Sequence, residues 1–446
     1  MEKKVVGDLS EELLSSFQRQ YENDEKNTLI RHALARHSLS NVIYEPSSVT
    51  EAPFTFSLEV KTLPVCNQKV SGRCWIFAGL NFLRERVAKK LGLKNFELSQ
   101  NYISLFDKIE KANFALESLI ALGQEEADSR LLNHILSSPV NDGGQWDMFV
   151  SLVNKYGVVP QSAFPETYQS NNTRETDQVV NAAIRGFMAD NHPLLKEGKI
   201  EEVRKNKEEL MEKIYAMFMN AFGVPPTTFD FTYENDRGYH IDPALTPLDF
   251  FAKYVGDDLN DYQSIINSPT KDKPYIKNYT VDYLGGVVGG RPINHLNLPM
   301  ERMIELIIKQ LRDGEPVWFG SDVGFYRDRN SYVWSTTSLD YTSTFGFPLH
   351  FSKEKMLDYW HSAMSHAMLI TGVDLQNGKP TRWKIENSWG SDNGLNGYYV
   401  MTPDWFETFV YQAVVNKKYL LKVEKDACKQ EPTHLNPWDP MGTLAD

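Results

Sequence analysis

Two β-patterned runs flank Gln376-Asn377-Gly378-Lys379, and this segment constrains the fold more than any other. Asn-Gly favours the left-handed backbone of a tight hairpin turn, whose twist suits two paired strands. On one side lies Ser365-His366-Ala367-Met368-Leu369-Ile370-Thr371-Gly372-Val373, on the other Arg382-Trp383-Lys384-Ile385-Glu386-Asn387. An antiparallel hairpin is expected. The midpoint of positions 366 and 387 falls on the turn within about a residue, so pairing brings His366 and Asn387 side by side. An amide oxygen beside an imidazole engages one ring nitrogen and leaves the other free.

A free ring nitrogen is what a thiol nucleophile needs from a base. The candidate thiol is Cys74, in Asn67-Gln68-Lys69-Val70-Ser71-Gly72-Arg73-Cys74-Trp75. Behind it, Ile76, Leu80, Leu83, Val87 and Leu91 recur at three- and four-residue steps, and Gly92 is placed to end that helix. A thiol at a helix N-terminus faces unpaired N–H groups and the positive end of the dipole, which favours its thiolate. Gln68 offers a side-chain amide to an oxyanion forming beside the sulfur. Spacing alone does not bring Cys74 to His366. Cys66 has no helix behind it and reads as a buried or strand-edge thiol; Cys428, in a charged terminal stretch, reads as inert.

Composition narrows the remaining classes. The net charge of −12 provides no overall field to draw in phosphates, so no nucleic-acid partner is expected. Three cysteines in 446 residues make no disulfide framework, which points to a reducing compartment. Met1-Glu2-Lys3-Lys4-Val5-Val6-Gly7-Asp8 lacks a signal-peptide pattern, and no apolar run reaches the ~18 residues of a membrane span. A cytoplasmic location with no membrane partner is therefore expected. His361 and His366 are badly spaced for one helix face and no carboxylate or cysteine completes a zinc pattern, so no metal is expected. Gly285-Gly286 and Gly289-Gly290 read as turns, because their spacing is no dinucleotide fingerprint; no cofactor is expected.

Helical patterning is expected over 8–37, behind Cys74, in a short stretch ending at Tyr156, over 174–222 until Val224-Pro225-Pro226, and over 299–313. Residues 226–300 read as loops and short strands, 316–320 as a buried strand, and strands dominate from 363.

Five segments together resemble the papain superfamily, and more closely the bleomycin hydrolase and bacterial aminopeptidase C family. They are Asn67-Gln68…Ser71-Gly72-Arg73-Cys74-Trp75…Phe77-Ala78, Asp142-Gly143-Gly144-Gln145-Trp146-Asp147, Ser365-His366-Ala367-Met368, Glu386-Asn387-Ser388-Trp389-Gly390 and Pro437-Trp438-Asp439-Pro440-Met441-Gly442. The resemblance implies an α+β, two-lobed papain-like fold with a large, mainly helical insertion and a C-terminal arm reaching the active-site cleft. It implies Cys74 as nucleophile, His366 as base and then acid, Asn387 as orienter and Gln68 as oxyanion donor. Trp389 would shield the His366–Asn387 contact, and Asp142, Gly143 and Gly144 would lie along the substrate. The His and Asn follow the Cys by 292 and 313 residues, against ~130–150 in papain-type enzymes, and much of the excess falls between Gly144 and His366.

The implied layout is an N-terminal helical extension over 1–50, a helical lobe over 51–170, an insertion over 171–300, a strand-rich lobe over 301–431 and an arm over 432–446. By the same resemblance the insertion builds homohexamers. The arm would set its terminal carboxylate against a substrate's free amine and make the enzyme an aminopeptidase acting on peptides. Relatives end at a residue matching Ala445, or add one that can be trimmed; this chain carries Asp446 beyond it. The competing readings are an oligopeptidase or endopeptidase on the same framework and, more remotely, a non-catalytic assembly scaffold.

Overall fold

The hairpin forms around the expected turn. His366–Gln376 pairs antiparallel with Lys379–Glu386, and Asn377 and Gly378 take φ angles of 52° and 78°. Lys379 faces Gln376 and Glu386 faces Leu369, so the pairing centre lies one residue later than the 366–387 midpoint. Continued one step, this register sets Asn387 beside Met368, two residues from His366. Alternate strand residues share a face, so the amide still falls on the His366 side. A computed structural model is the basis of this description, which covers residues 7–445 apart from 257, 328–330, 348 and 350.

The His366 strand lies inside a larger sheet. Tyr262–Ile266, Val410–Asn416, Val317–Ser321, His366–Gln376, Lys379–Glu386 and Tyr398–Met401 are neighbours in that order. Val317–Ser321 pairs antiparallel with the start of the His366 strand, Ser321 opposite His366. Long apolar runs rather than alternation mark these strands, because both sheet faces are covered. Tyr262–Ile266 enters this sheet from a stretch that reads locally as irregular, and Lys277–Val281 and His295–Asn297 extend the sheet beyond it.

The helix Cys74–Leu91 packs against the His366 and Val317 strands, and the Trp318 Nε1–H donates to the Trp75 carbonyl at 3.2 Å. Every residue from Cys74 to Arg84 is buried, mostly among apolar neighbours, with Asn81 and Arg84 meeting the buried Glu386 carboxylate. Gly92 ends it in the left-handed conformation. Gln100–Ala121 and Trp146–Tyr156 pack with it in one apolar cluster. Arg174–Lys196 and Ile200–Phe222 fold back on each other and onto Gln100–Ala121. Met300–Arg312 covers the other side of the sheet in a second cluster.

The N-terminal helical stretch is two helices, Glu11–Glu22 and Glu25–Leu34. Asp24 separates them because its carboxylate accepts the Lys26 N–H at 3.0 Å and caps the second. No helix among the described residues is long and apolar enough to cross a membrane.

Candidate active site

Cys74 is the first residue of its helix, and the loop ahead of it is held from both sides. The Gln68 N–H donates to the Ser388 carbonyl at 2.8 Å. The Gln68 Oε1 accepts from the Ser388 hydroxyl at 2.6 Å, and its Nε2 donates to the Ser71 carbonyl at 2.6 Å. The Ser71 hydroxyl closes the loop on the Gln68 carbonyl at 2.6 Å. One of the two Nε2 hydrogens is thus used and its orientation fixed by Ser388. Arg73, with no exposed surface, pairs with Glu166 at 3.0 Å.

The thiol meets the strand-rich side at the end that carries His366: Cys74 Sγ accepts the Ala367 N–H at 3.4 Å. The His366 Nε2–H donates to Asn387 Oδ1 at 2.9 Å, which leaves Nδ1 as the other ring nitrogen. Burial holds the His366 imidazole down, to about 4; the Asn387 bond works against this and Arg327 adds to it. Trp389 stacks on the imidazole with centroids 4.8 Å apart, and the Arg327 guanidinium lies 4.7 Å above the indole.

Asp142, Gly143 and Gly144 form one edge of the site. The Asp142 carboxylate accepts the Gly72 N–H at 2.7 Å, the Lys108 ammonium at 2.6 Å and the Thr173 hydroxyl. Burial alone opposes its charge, but these three donors together hold its carboxyl well below the usual range. Lys108, itself fully buried, also reaches Asp177 at 2.6 Å. Asp177 has fewer donors, so burial wins there and lifts it to about 6. The Gly143 carbonyl accepts from Lys111 at 2.6 Å. A Cβ on Gly144 would fall 2.3 Å from the Trp75 indole, so only glycine allows this approach.

Gly144 pairs with the C-terminal arm. Its N–H donates to the Ala445 carbonyl at 3.1 Å and its carbonyl accepts the Ala445 N–H at 3.3 Å, an antiparallel bridge. Ala445 has no exposed surface. Asp446 lies outside the described residues. Beside the arm, a cleft of about 610 Å³ runs between Phe114, Ile135, Met148, Met364, Ser365 and Leu444.

The structure therefore gathers Gln68, Cys74, His366, Asn387 and Trp389 at one seam, with Asp142 turned toward the Cys74 loop and Gly144 toward the arm. Cys66 is buried elsewhere, bonded to Asn81 and Arg84 and pushed well up by burial. Cys428 is half-buried and pushed up to about 11 by burial. His361 stacks between Phe325 and Phe351. No group of three His, Cys, Asp or Glu able to hold a metal occurs among the described residues. The sequence motifs include Arg73, Ser388 and Gln145 without indicating a role for them, and Lys108 lies outside every motif. Ser388 adjoins Asn387 and Gln145 adjoins Gly144, so their place in the motifs was their only signal.

A thiol heading a buried helix, meeting a strand whose imidazole is bonded to an amide, defines a papain-like cysteine peptidase. Comparison with known proteins agrees. The Peptidase C1-like family model matches residues 8–442. Aminopeptidase C of Lactobacillus delbrueckii subsp. lactis is 46% identical over 420 residues, covering 92% of this chain and 94% of its own. Bleomycin hydrolase of Mus musculus is 36% identical over 450 residues, covering 98% and 99%. The crystal structure of PepW from Lactobacillus rhamnosis matches with a TM-score of 0.95 at 42% identity, both chains covered completely. The chain belongs to the Peptidase C1-like family.

Proposed function

We propose that this chain is a cysteine aminopeptidase that removes N-terminal residues from peptides, with Cys74 as its nucleophile. The Cys74 sulfur attacks the carbonyl of the substrate's first residue while His366 Nδ1 holds the thiol proton. Asn387 keeps the ring oriented through Nε2, and Trp389 limits water at that contact. The oxyanion takes the Cys74 backbone N–H and the second hydrogen of Gln68 Nε2. His366 gives its proton to the departing amine, leaving a thioester. A water, losing its proton to His366, then frees the acid and restores the thiol. Asp142 acts by fixing Gly72 and the loop behind it.

The observation that carries the choice of bond is the Gly144–Ala445 bridge. The arm occupies the backbone-pairing position along Gly144, where upstream residues of a longer substrate would otherwise lie. Only the first residue then fits ahead of the cleaved bond, and by the family resemblance the arm's terminal carboxylate would pair with the free amine. Whether Asp446 is retained or trimmed is read from the intact mass of purified enzyme. None of the described cysteines forms a disulfide, in keeping with a cytoplasmic enzyme. Homohexamer formation through the 171–300 insertion follows from the family resemblance, and sedimentation would give six subunit masses or refute it.

The test compares free and N-acetylated fluorogenic peptides on the intact chain and on one lacking Gly442–Asp446. The intact enzyme should cleave only the free peptides, and the shortened one should accept both. A shortened enzyme that still rejects blocked peptides would refute the arm's role. An intact enzyme that cleaves both equally would favour the endopeptidase reading.

A further inference from the structure

The arm is held in two zones. At its base, Thr433–Leu435 pairs parallel with Lys277–Val281. Trp438 lies 3.8 Å from the Arg130 guanidinium, and Asp439 pairs with Lys273 at 2.8 Å. These contacts end before Met441 and fix where the arm starts. The short turn Pro440–Gly442 follows, closed by the Gly442 N–H on the Asp439 carbonyl at 2.8 Å, and carries the arm to the stretch that faces Gly144.

Gln145 touches that last stretch. It is 1% exposed, and its Nε2 donates to the Thr443 carbonyl at 2.7 Å and the Met441 carbonyl at 3.4 Å. Its own backbone is rigid, because it caps Trp146–Tyr156 and its carbonyl accepts the Phe149 N–H at 3.1 Å. The neighbouring Gly144 makes the bridge to Ala445. Adjacent residues of one rigid turn thus read alternate carbonyls of the arm and its penultimate residue. A slip of one residue would offer Gly442 and Leu444 to Gln145 and turn the Ala445 bridging groups away from Gly144.

We propose that Gln145 is a positioning residue that sets the register of the arm, and through it how many substrate residues fit ahead of the cleaved bond. This rests on the aminopeptidase reading above. Gln145 takes no part in bond cleavage. Its effect is on which peptides enter.

Gln145→Met keeps the volume and removes both donors; Gln145→Glu sets a carboxylate against two carbonyls. The readout is the ratio of kcat/KM for an N-acetylated peptide to that for its free-amine counterpart. The ratio cancels the amount of folded enzyme, so partial misfolding does not imitate the effect. Gln145→Met should raise it roughly tenfold, the scale of one lost neutral hydrogen bond, mostly by raising KM for the free peptide. Gln145→Glu should raise it further. If both variants keep the wild-type ratio while deletion of Gly442–Asp446 raises it, the register role is overturned and the aminopeptidase reading stands. If the deletion also leaves it unchanged, the arm's role falls with the register role; an intact enzyme that cleaves both peptides equally would remove the aminopeptidase reading itself.

Discussion

At the scale of single residues the site divides into groups that touch the reacting atoms and groups that hold them. In the proposed mechanism Asn387 is of the second kind: its Oδ1 accepts from His366 Nε2. Asn387→Ala should lower kcat by about 10- to 100-fold, as loss of a group orienting an imidazole does, with KM changed less; steady-state kinetics decides, and an unchanged kcat would remove the orienting role. Cys74, His366, Asn387 and Gln68 were legible because motif and turn chemistry lie in local sequence. Lys108 was not. In a helical pattern it reads as one more solvated cation, and only contacts with Asp142 and Asp177, far along the chain, bury it.

At the scale of elements, close backbone approach does the positioning. The Cys74 helix, the Gly143-Gly144 edge and the arm meet where Gly144 leaves no space for a side chain. In Gly144→Ala the new methyl must displace Trp75 or the bridge to Ala445. Overpacking of this kind costs ~1–3 kcal/mol, so the midpoint of chemical denaturation should fall and the acceptance of N-blocked peptides should rise. Unchanged values of both would show that Trp75 yields freely. The hairpin was legible because Asn377-Gly378 dictates its turn whatever packs around it. The direct pairing of His366 with Asn387 was off by one because the two-residue turn Asn377-Gly378 already sets Lys379 opposite Gln376; two irregularities, between Pro380 and Arg382 and between Lys384 and Ile385, shift the register and then restore it. Tyr262–Ile266 was legible only as part of a mixed stretch, since its place in the sheet comes from Val410–Asn416, far along the chain.

At the scale of the whole molecule, burial of titratable groups ties stability to pH. His366 and His295 are both held down to about 4, chiefly by burial. Unfolded imidazoles take a proton near 6.5. Above that pH neither state binds it and stability is full. As pH falls from 6.5 toward 4 the unfolded state gains protons that the folded state refuses, so stability is lost across that window. The loss should be on the order of a few kcal/mol for the two groups together. Asp177 and Glu85, lifted by burial to about 6 and about 7, pull the other way, because the folded state takes their protons first. The histidine contribution is therefore read as a difference: His295→Gln should lose less stability than the parent chain between pH 7 and 4, and identical profiles for the two would contradict this. None of this depth of burial is visible in composition, because it follows from how the sheet is covered on both faces.

In the proposed mechanism hydrolysis runs through a thioester on Cys74. Enzyme quenched in acid during turnover of a free-amine aminoacyl ester, digested and weighed by mass spectrometry, should carry one aminoacyl group on the peptide containing Cys74, and none when His366 or Cys74 is replaced by alanine. Full turnover by the Cys74→Ala chain, or an adduct on another residue, would contradict it.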